Sequence, residues 1–152
     1  MTKKQSNDII DKMEYETQSE QEMRRLGQNL GAGLKGGEVI ELVGDIGAGK
    51  TTLTKGIAAG MGIDEDVQSP SFTLSRVYDS PSGVRLAHYD FYRLSDPGIL
   101  ADELAEVAGD PKTVTVVEWA EIVNNVLPSP HITINISSPT EDSRLVKVEG
   151  VS

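Results

Sequence analysis

The amino-acid sequence predicts a three-layer α/β fold, in which helices pack on a mixed, partly antiparallel sheet. Segments of helical and of strand periodicity alternate along the 152 residues, as they do in α/β proteins. A glycine-rich segment, VGDIGAGKTT, lies between a short apolar strand and a helix. Two pairs of alternating segments are joined by turn residues, so they predict antiparallel hairpins added to a parallel core.

The first elements are an edge strand and a capped helix. The segment Glu14 to Gln18 predicts a short edge strand. Ser19 and Glu22 have the spacing of a capping box, in which each residue satisfies a backbone N–H at the start of a helix. Apolar residues then recur at helical spacing up to a glycine pair that predicts the helix end: Met23, Leu26, Leu30, Leu34 and then Gly36-Gly37.

The remaining elements follow from periodicity and turn residues in the same way. Strands are predicted at Val39 to Val43 and Val114 to Glu118, and helices at Lys50 to Ala59 and Asp96 to Leu104. The hairpins are Phe72 to Tyr78 with Val84 to Asp90, and Ile132 to Ile136 with Leu145 to Val148.

Composition limits the class of protein. Residues 1–13 are polar without a usable period and predict a flexible arm, whereas residues 14–152 predict a single domain. The chain has no cysteine, which excludes disulfides, thiolate metal sites and cysteine catalysis. The N-terminus lacks the apolar region of a signal peptide, and no apolar run approaches the ~18 residues of a membrane span. We therefore expect a cytoplasmic protein without membrane contact.

The charge of the chain argues against direct binding to a nucleic acid. There are 24 acidic and 14 basic residues, which gives a net charge of -10. Nucleic-acid binding normally depends on basic residues that neutralise phosphates. The acidic balance either serves solubility alone or belongs to a protein that meets a nucleic acid only through a partner.

The glycine-rich segment is the strongest functional signal. Gly44, Gly49, Lys50 and Thr51 fit the pattern G-x-x-x-x-G-K-T of a phosphate-binding loop, which is typical of the P-loop NTPase fold. In such a loop, backbone N–H groups and the helix N-terminus bind phosphate oxygens. Lys50 then reaches the β- and γ-phosphates, and the Thr51 hydroxyl is placed to bind Mg²⁺.

Nucleotide hydrolysis also requires a carboxylate, and two strand ends offer one. Asp90 ends RLAHYD and Glu118 ends TVTVVE, the more apolar of the two segments. Ligands of open α/β sheets bind beyond the carboxyl ends of the strands. Each acid alone could instead be a helix cap or a surface charge. Together they predict one carboxylate that completes the Mg²⁺ sphere and one that orients the attacking water.

Other residues limit which nucleotide and which type of reaction are expected. The chain contains no N-K-x-D guanine-binding segment, so ATP is favoured over GTP, and its six arginines do not form the lid of a small-molecule kinase. His88 shares a strand face with Asp90, so it either points at the site or is an ordinary strand histidine. His131 is interpreted as structural. Trp119, the only tryptophan, follows Glu118 and either packs in the core or responds to nucleotide.

Four motifs in order resemble the TsaE family, also called YjeE: GDIGAGKTT, SPSFTL, HYDFYRL and VEWAE. These are small bacterial ATPases of tRNA threonylcarbamoyladenosine biosynthesis, and the resemblance spans about residues 16–150. It implies a P-loop ATPase that uses ATP and Mg²⁺ and works with the TsaB and TsaD proteins. That complex transfers a threonylcarbamoyl group to adenosine 37 of tRNA, so this chain is expected to meet tRNA only indirectly.

The resemblance also implies roles for individual residues. Thr51 and Glu118 lie at Mg²⁺, Asp90 is the second essential acid, and residues 69–74 form a switch-like loop beside the γ-phosphate. The residues implied to hold the nucleotide are Asp45, Ile46, Gly47, Ala48, Gly49, Lys50, Thr51 and Thr52, with Glu20 and Arg144 as weaker matches. Ala120 departs from the family pattern, because many members have proline there.

Three functions remain open on the sequence. The first is an ATPase that drives or resets a tRNA-modifying complex, with Lys50, Asp90 and Glu118 as catalytic residues. The second is a nucleotide-dependent binding module in which hydrolysis is incidental. The third is a phosphotransferase that acts on a metabolite or a protein hydroxyl.

Overall fold

The structure is a computed structural model that describes residues 12–44, 49–68, 75–91, 98–120, 127–128 and 131–150. Its elements in chain order are β1 (Lys12–Thr17), α1 (Glu20–Ala32), β2 (Val39–Val43), α2 (Lys50–Gly60), β3 (Ser75–Asp79), β4 (Arg85–Asp90), α3 (Gly98–Ala108), β5 (Thr113–Glu118), β6 (Ile132–Ser137) and β7 (Arg144–Glu149). Within these described ranges, no helix is both long and apolar enough to span a membrane.

The strands form one seven-stranded sheet in the order β1-β7-β6-β2-β5-β4-β3. Its centre is parallel, since β2 pairs with β5 and β6, and β5 pairs with β4, all in parallel. The outer strands are antiparallel: β3 pairs with β4, β7 with β6, and β1 with β7. The predictions of a mixed sheet, of two hairpins and of an N-terminal edge strand are therefore confirmed.

Apolar side chains fill both faces of this sheet. One core joins α1 and α2 to alternate strand residues such as Ile40, Val116 and Leu86. The second core lies on the opposite face, where Leu104 of α3 packs with Val117 and Tyr89. Because successive residues of a strand point to opposite faces, the apolar residues of one strand contribute alternately to the two cores. The predicted three-layer arrangement is confirmed.

The start of α1 is as predicted, but its end is not. The Ser19 hydroxyl accepts the Glu22 N–H at 3.1 Å, and the Glu22 carboxylate accepts the Gln18 N–H at 2.8 Å. The helix was expected to continue to Gly36-Gly37, but it ends at Ala32 with Gly33 as its C-cap. Leu34 therefore lies outside the helix, although it packs against the same core. Apolar spacing alone did not distinguish a helical residue from one that reaches the core after the helix.

Two further boundaries differ from the expectation by more than one residue. The edge strand β1 begins at Lys12, two residues before the predicted start and inside the segment assigned to the arm. Helix α3 continues to Ala108, four residues beyond the predicted end at Leu104. The predicted cap residues Asp96 and Pro97, like residues 72–74 of the first hairpin, lie outside the described residues.

Strand β5, which ends at Glu118, is fixed at its start by a turn. The two carboxylate oxygens of Asp110 accept the Lys112 N–H at 3.0 Å and the Thr113 hydroxyl at 2.8 Å. These hydrogen bonds, first that from the Lys112 backbone, lower the pKa of the Asp110 carboxyl below its ordinary value. The turn thereby fixes the start of β5.

Helices α1 and α2 meet along a glycine seam formed by Gly27, Gly31, Gly56 and Gly60. A Cβ atom at any of these positions would lie closer than 3.0 Å to a backbone oxygen of the facing helix. At Gly31 that oxygen belongs to Ile57, and at Gly56 it belongs to Arg24. The two backbones are therefore in direct contact, and the seam fixes α1 on the helix that follows the glycine-rich segment.

We expect Gly56→Ala to destabilise the fold although alanine is the better helix former. Removing glycine from a helix contributes roughly 1 kcal/mol of stability. The new methyl group has to displace backbone rather than a flexible side chain, and such overpacking costs about 1–3 kcal/mol or more. The matched control is Gly33→Ala, where a Cβ would meet only the Leu30 oxygen at 3.6 Å. Urea unfolding checks this, and equal stabilities for the two variants would contradict the close contact.

Candidate phosphate and metal site

Three parallel strands place the candidate residues at one edge of the sheet. Strand β2 leads to Gly44, β4 ends at Asp90 and β5 ends at Glu118. Glu118 is the register partner of Leu42 on one side and of Asp90 on the other. Since neighbouring strands lie about 4.8 Å apart, the glycine-rich loop and both acids share one small region. This is the carboxyl edge at which ligands of open α/β sheets bind.

The glycine-rich segment has the predicted strand and helix on either side. Strand β2 ends at Val43, and α2 begins at Lys50. Gly49 caps this helix with φ of 106°, a left-handed conformation that glycine adopts without strain, and its carbonyl accepts the Leu53 N–H at 2.9 Å. Residues 45–48, predicted to bind phosphate, lie outside the described residues.

The Lys50 ammonium lies among three electron-rich neighbours. Its Nζ donates to the Gly44 carbonyl at 2.7 Å and is 3.7 Å from Glu118 Oε1. The Trp119 ring centroid is 4.3 Å from the same nitrogen, within the range of a cation–π interaction. The side chain is only 7% exposed. Lys50 therefore lies beside the predicted catalytic carboxylate, in a position that the helix start determines.

The Glu118 carboxylate is held on both sides. While Oε1 faces Lys50, Oε2 is 2.6 Å from His88 Nε2. Both side chains are buried, since His88 is 0% and Glu118 5% exposed. A carboxylate without such partners would be costly to bury. The location of Glu118 at the strand end and against Lys50 fits the predicted catalytic and metal-binding roles, which remain proposals.

Asp90 lies beside Glu118 on the adjacent strand. The two residues are register partners, and both are buried. Strand alternation puts Asp90 on the face of His88 and Leu86, toward α2, whereas Tyr89 points to the opposite core. There, burial and the nearby Glu103 raise the pKa of the Tyr89 hydroxyl to about 12. The two predicted acids therefore lie at one place, as the sequence prediction required.

The weaker predicted contacts lie farther along the same edge. Thr17 of β1 pairs with Arg144 of β7, and both strands are oriented so that these ends face the edge at which β2 ends. The Arg144 guanidinium donates to the carbonyls of Glu141 and Ser143. Glu20 begins α1, and its side chain is exposed. Both residues share the edge, but β7 lies two strands from β2, so their contact with a nucleotide stays a prediction.

The donor atoms at this edge fit Mg²⁺ bound together with phosphates. Thr51 and Thr52 lie in the first turn of α2 and are partly buried. Within the described part of the chain, no three His, Asp or Glu residues form a cluster that could hold a metal by themselves. Magnesium usually takes one or two protein oxygens and completes its sphere with phosphate and water. A hydroxyl from Thr51 and a carboxylate from Glu118 match that requirement.

Two contacts of the site were not predicted from the sequence. The Trp119 ring was expected near Glu118 but not over the Lys50 ammonium. Trp119 has φ of 57°, the only positive value among the non-glycine residues described, so the chain turns sharply just after the strand. His88 was left between two interpretations, and its bond to Glu118 favours the functional one. Pairing β4 with β5 in register would have indicated this contact, because it aligns Asp90 with Glu118 and so puts His88 on the face of Glu118, two residues from its register partner.

A sequence model of the family described as threonylcarbamoyl adenosine biosynthesis protein TsaE matches residues 17–146. The chain belongs to the TsaE family. The match includes the strand, loop and helix around Lys50 and both acids. The resemblance stated from the four motifs is therefore confirmed over most of the chain.

Individual TsaE proteins agree with this assignment. TsaE of Bacillus subtilis is 35% identical over 91% of this chain and 86% of its own length. TsaE of Treponema pallidum is 36% identical over 87% of this chain and 96% of its own length. A crystal structure of Bacillus subtilis YdiB superposes with a TM-score of 0.76 at 32% identity, and covers 97% of this chain and 90% of that one. The predicted P-loop NTPase-like fold is confirmed.

We expect replacement of Lys50 and of Thr51 to separate phosphate binding from metal binding. Lys50→Ala removes the ammonium held at the helix start, and a charge-assisted contact of about 1.5–3 kcal/mol corresponds to a 10- to 100-fold loss of Mg-ATP affinity. Thr51→Ala leaves that ammonium in place, so its main effect is a weaker dependence of binding on Mg²⁺. Calorimetry with ATP, with and without Mg²⁺, measures both effects. Unchanged affinities in both variants would contradict the phosphate-site assignment.

Proposed function

We propose that this chain is a Mg²⁺-dependent ATPase that acts in the threonylcarbamoyl modification of tRNA adenosine 37. Membership of the TsaE family supports the pathway. The observation that supports the chemistry is the joint position of Lys50 and Glu118, whose side chains are 3.7 Å apart at the end of the glycine-rich loop. A cation for phosphate and a carboxylate for metal or water are the two groups that such a reaction needs.

In this proposal, different residues bind the nucleotide and hydrolyse it. The N–H groups at the start of α2 and the Lys50 ammonium bind the phosphates, which requires the ammonium to exchange its Gly44 contact for phosphate oxygens. Glu118 and Thr51 hold Mg²⁺, which neutralises charge on the phosphate oxygens when bound. Asp90, next to Glu118, takes the second role of orienting the attacking water.

The proposed partners are the TsaB and TsaD proteins. A net charge of -10 disfavours direct contact with the tRNA backbone. A chain of this charge can serve tRNA when its partners bind the nucleic acid. The proposed reaction and partners place the protein in the cytoplasm.

Modification of a tRNA transcript by purified TsaB and TsaD, supplied with the threonylcarbamoyl donor, tests this function. We expect modified adenosine to accumulate in repeated turnovers with this chain and ATP, and not with the Lys50→Ala variant. Mass spectrometry of the tRNA nucleosides detects the product. Equal product without this chain would refute the proposed role.

The same assay distinguishes the other two functions. A nucleotide-dependent binding module would support repeated turnovers with a non-hydrolysable ATP analogue. A phosphotransferase would instead add the mass of a phosphoryl group to an acceptor.

A further inference from the structure

We propose that His88 is a positioning residue that acts through Glu118. This inference rests on the proposed ATPase function and assigns to the imidazole a role in holding the catalytic carboxylate. His88 lies on β4, two residues before Asp90, and its Nε2 is 2.6 Å from Glu118 Oε2 on β5. A carboxylate oxygen only accepts, so Nε2 is the donor of this hydrogen bond.

The bond fixes the orientation of the carboxylate. With Oε2 bound to His88, the other oxygen is directed at the Lys50 ammonium, 3.7 Å away. Rotation of the carboxylate about its last bond would break the His88 contact in a region where both side chains are buried. His88 therefore selects one orientation of Glu118, in which the second oxygen faces Lys50.

The surroundings of the imidazole argue against a packing role alone. His88 is fully buried, and its Nδ1 has no hydrogen-bond partner among the residues that the structure describes. An apolar side chain of similar size would fill this space without burying an unpaired nitrogen. The observed contact uses the N–H at Nε2, which donates to Glu118. The imidazole therefore serves as a hydrogen-bond donor to the carboxylate as well as filling the space.

His131 provides a matched comparison within the same chain. Its Nε2 is 3.1 Å from Glu41 Oε1, and its Nδ1 is 2.9 Å from the Pro128 carbonyl. Glu41 lies on β2 one residue from Leu42, so it points away from the face of Glu118. The chain thus has two histidine–glutamate pairs, and only the pair of His88 contacts Lys50.

The test compares His88→Gln, which retains an N–H donor, with His88→Leu, which retains only volume. We expect His88→Leu to lower kcat about 10- to 100-fold, as loss of an orienting outer-shell group typically does. His88→Gln is expected to restore most of the rate, and ATP affinity to change little in either variant. His131→Leu, the matched control, is expected to keep the wild-type rate.

Nuclear magnetic resonance supplies a measurement that does not depend on turnover. In protein with ¹⁵N-labelled histidine, the Nε2 signal of His88 is expected to shift in Glu118→Gln and to stay unchanged in Glu41→Gln, while His131 behaves in the opposite way. Absence of the His88 shift would overturn the proposed bond.

The outcomes separate this inference from the function on which it rests. If the wild type hydrolyses ATP but His88→Gln and His88→Leu have equal rates, the positioning role is wrong and the ATPase function stands. An equal loss of hydrolysis rate in both variants, together with a lower melting temperature, would show that His88 has only a packing role. If the wild type has no turnover above that of Glu118→Ala, the ATPase function fails, and the positioning role fails with it.

Discussion

Glu118→Gln is expected to bind Mg-ATP and to lose most of its hydrolysis, with kcat lower by about 10² to 10³-fold. The amide keeps the volume of the side chain and an oxygen that accepts from His88, so the buried contact is conserved. It removes the negative charge that faces Lys50 at 3.7 Å and that the metal or the attacking water requires. Single-turnover rates and calorimetric affinities measure the two effects separately.

The matched control for this change is Glu41→Gln. Glu41 is also a partly buried glutamate bonded to a histidine Nε2, but it lies on the other face of the sheet. We expect it to hydrolyse ATP at the wild-type rate. A wild-type rate in Glu118→Gln would show that this carboxylate has only a structural role, and Asp90→Asn would then identify the essential acid.

Saturating TsaB and TsaD are expected to accelerate ATP hydrolysis, by as much as about 10³ to 10⁵-fold if they supply an arginine. No arginine in the described part of the chain pairs with Glu118: Arg85 pairs with Asp79, and Arg144 donates to backbone carbonyls. Beyond Lys50 and the metal, little would neutralise the charge of the transition state. The isolated chain is therefore expected to be slow.

The measurement is the ATPase rate against the concentration of both partners, with Trp119 emission followed in parallel. Trp119 is the only tryptophan, and its ring lies 4.3 Å from the Lys50 ammonium. Its emission therefore reports whether the partners rearrange this site. Fast turnover by the isolated chain, unchanged by the partners, would contradict the prediction. Arg93, which lies outside the described residues, would then be the arginine to replace.

The sequence predicted the parts of this protein that depend on local patterns. The capping box at Ser19, the strand before Gly44 and the helix after it follow from short-range chemistry, and the structure has them as predicted. Alternation along β4 and the apolar run of β5 also placed Asp90 and Glu118 at strand ends. The ends of α1 and α3 were wrong by several residues, because apolar spacing does not by itself mark the last helical residue.

What the sequence could not predict are the contacts between distant segments. His88 and Glu118 are 30 residues apart, and their bond exists because β4 and β5 are parallel neighbours in one particular register. A shift of one residue would turn the imidazole to the other face. The contact between Lys50 and Trp119 depends in the same way on the sharp turn after Glu118. Periodicity identifies such residues but does not state which of them meet.

The glycine seam makes the two helices one cooperative unit. Because their backbones touch at Gly31 and Gly56, neither helix can open locally without exposing the other to water. A ligand that binds only the native state stabilises every element that unfolds together with its site. Phosphate bound at the start of α2 would therefore protect α1 as well. Phosphate binding at the N-terminus of α2 would thereby raise the local stability of α1, although α1 contributes no residue to the phosphate loop.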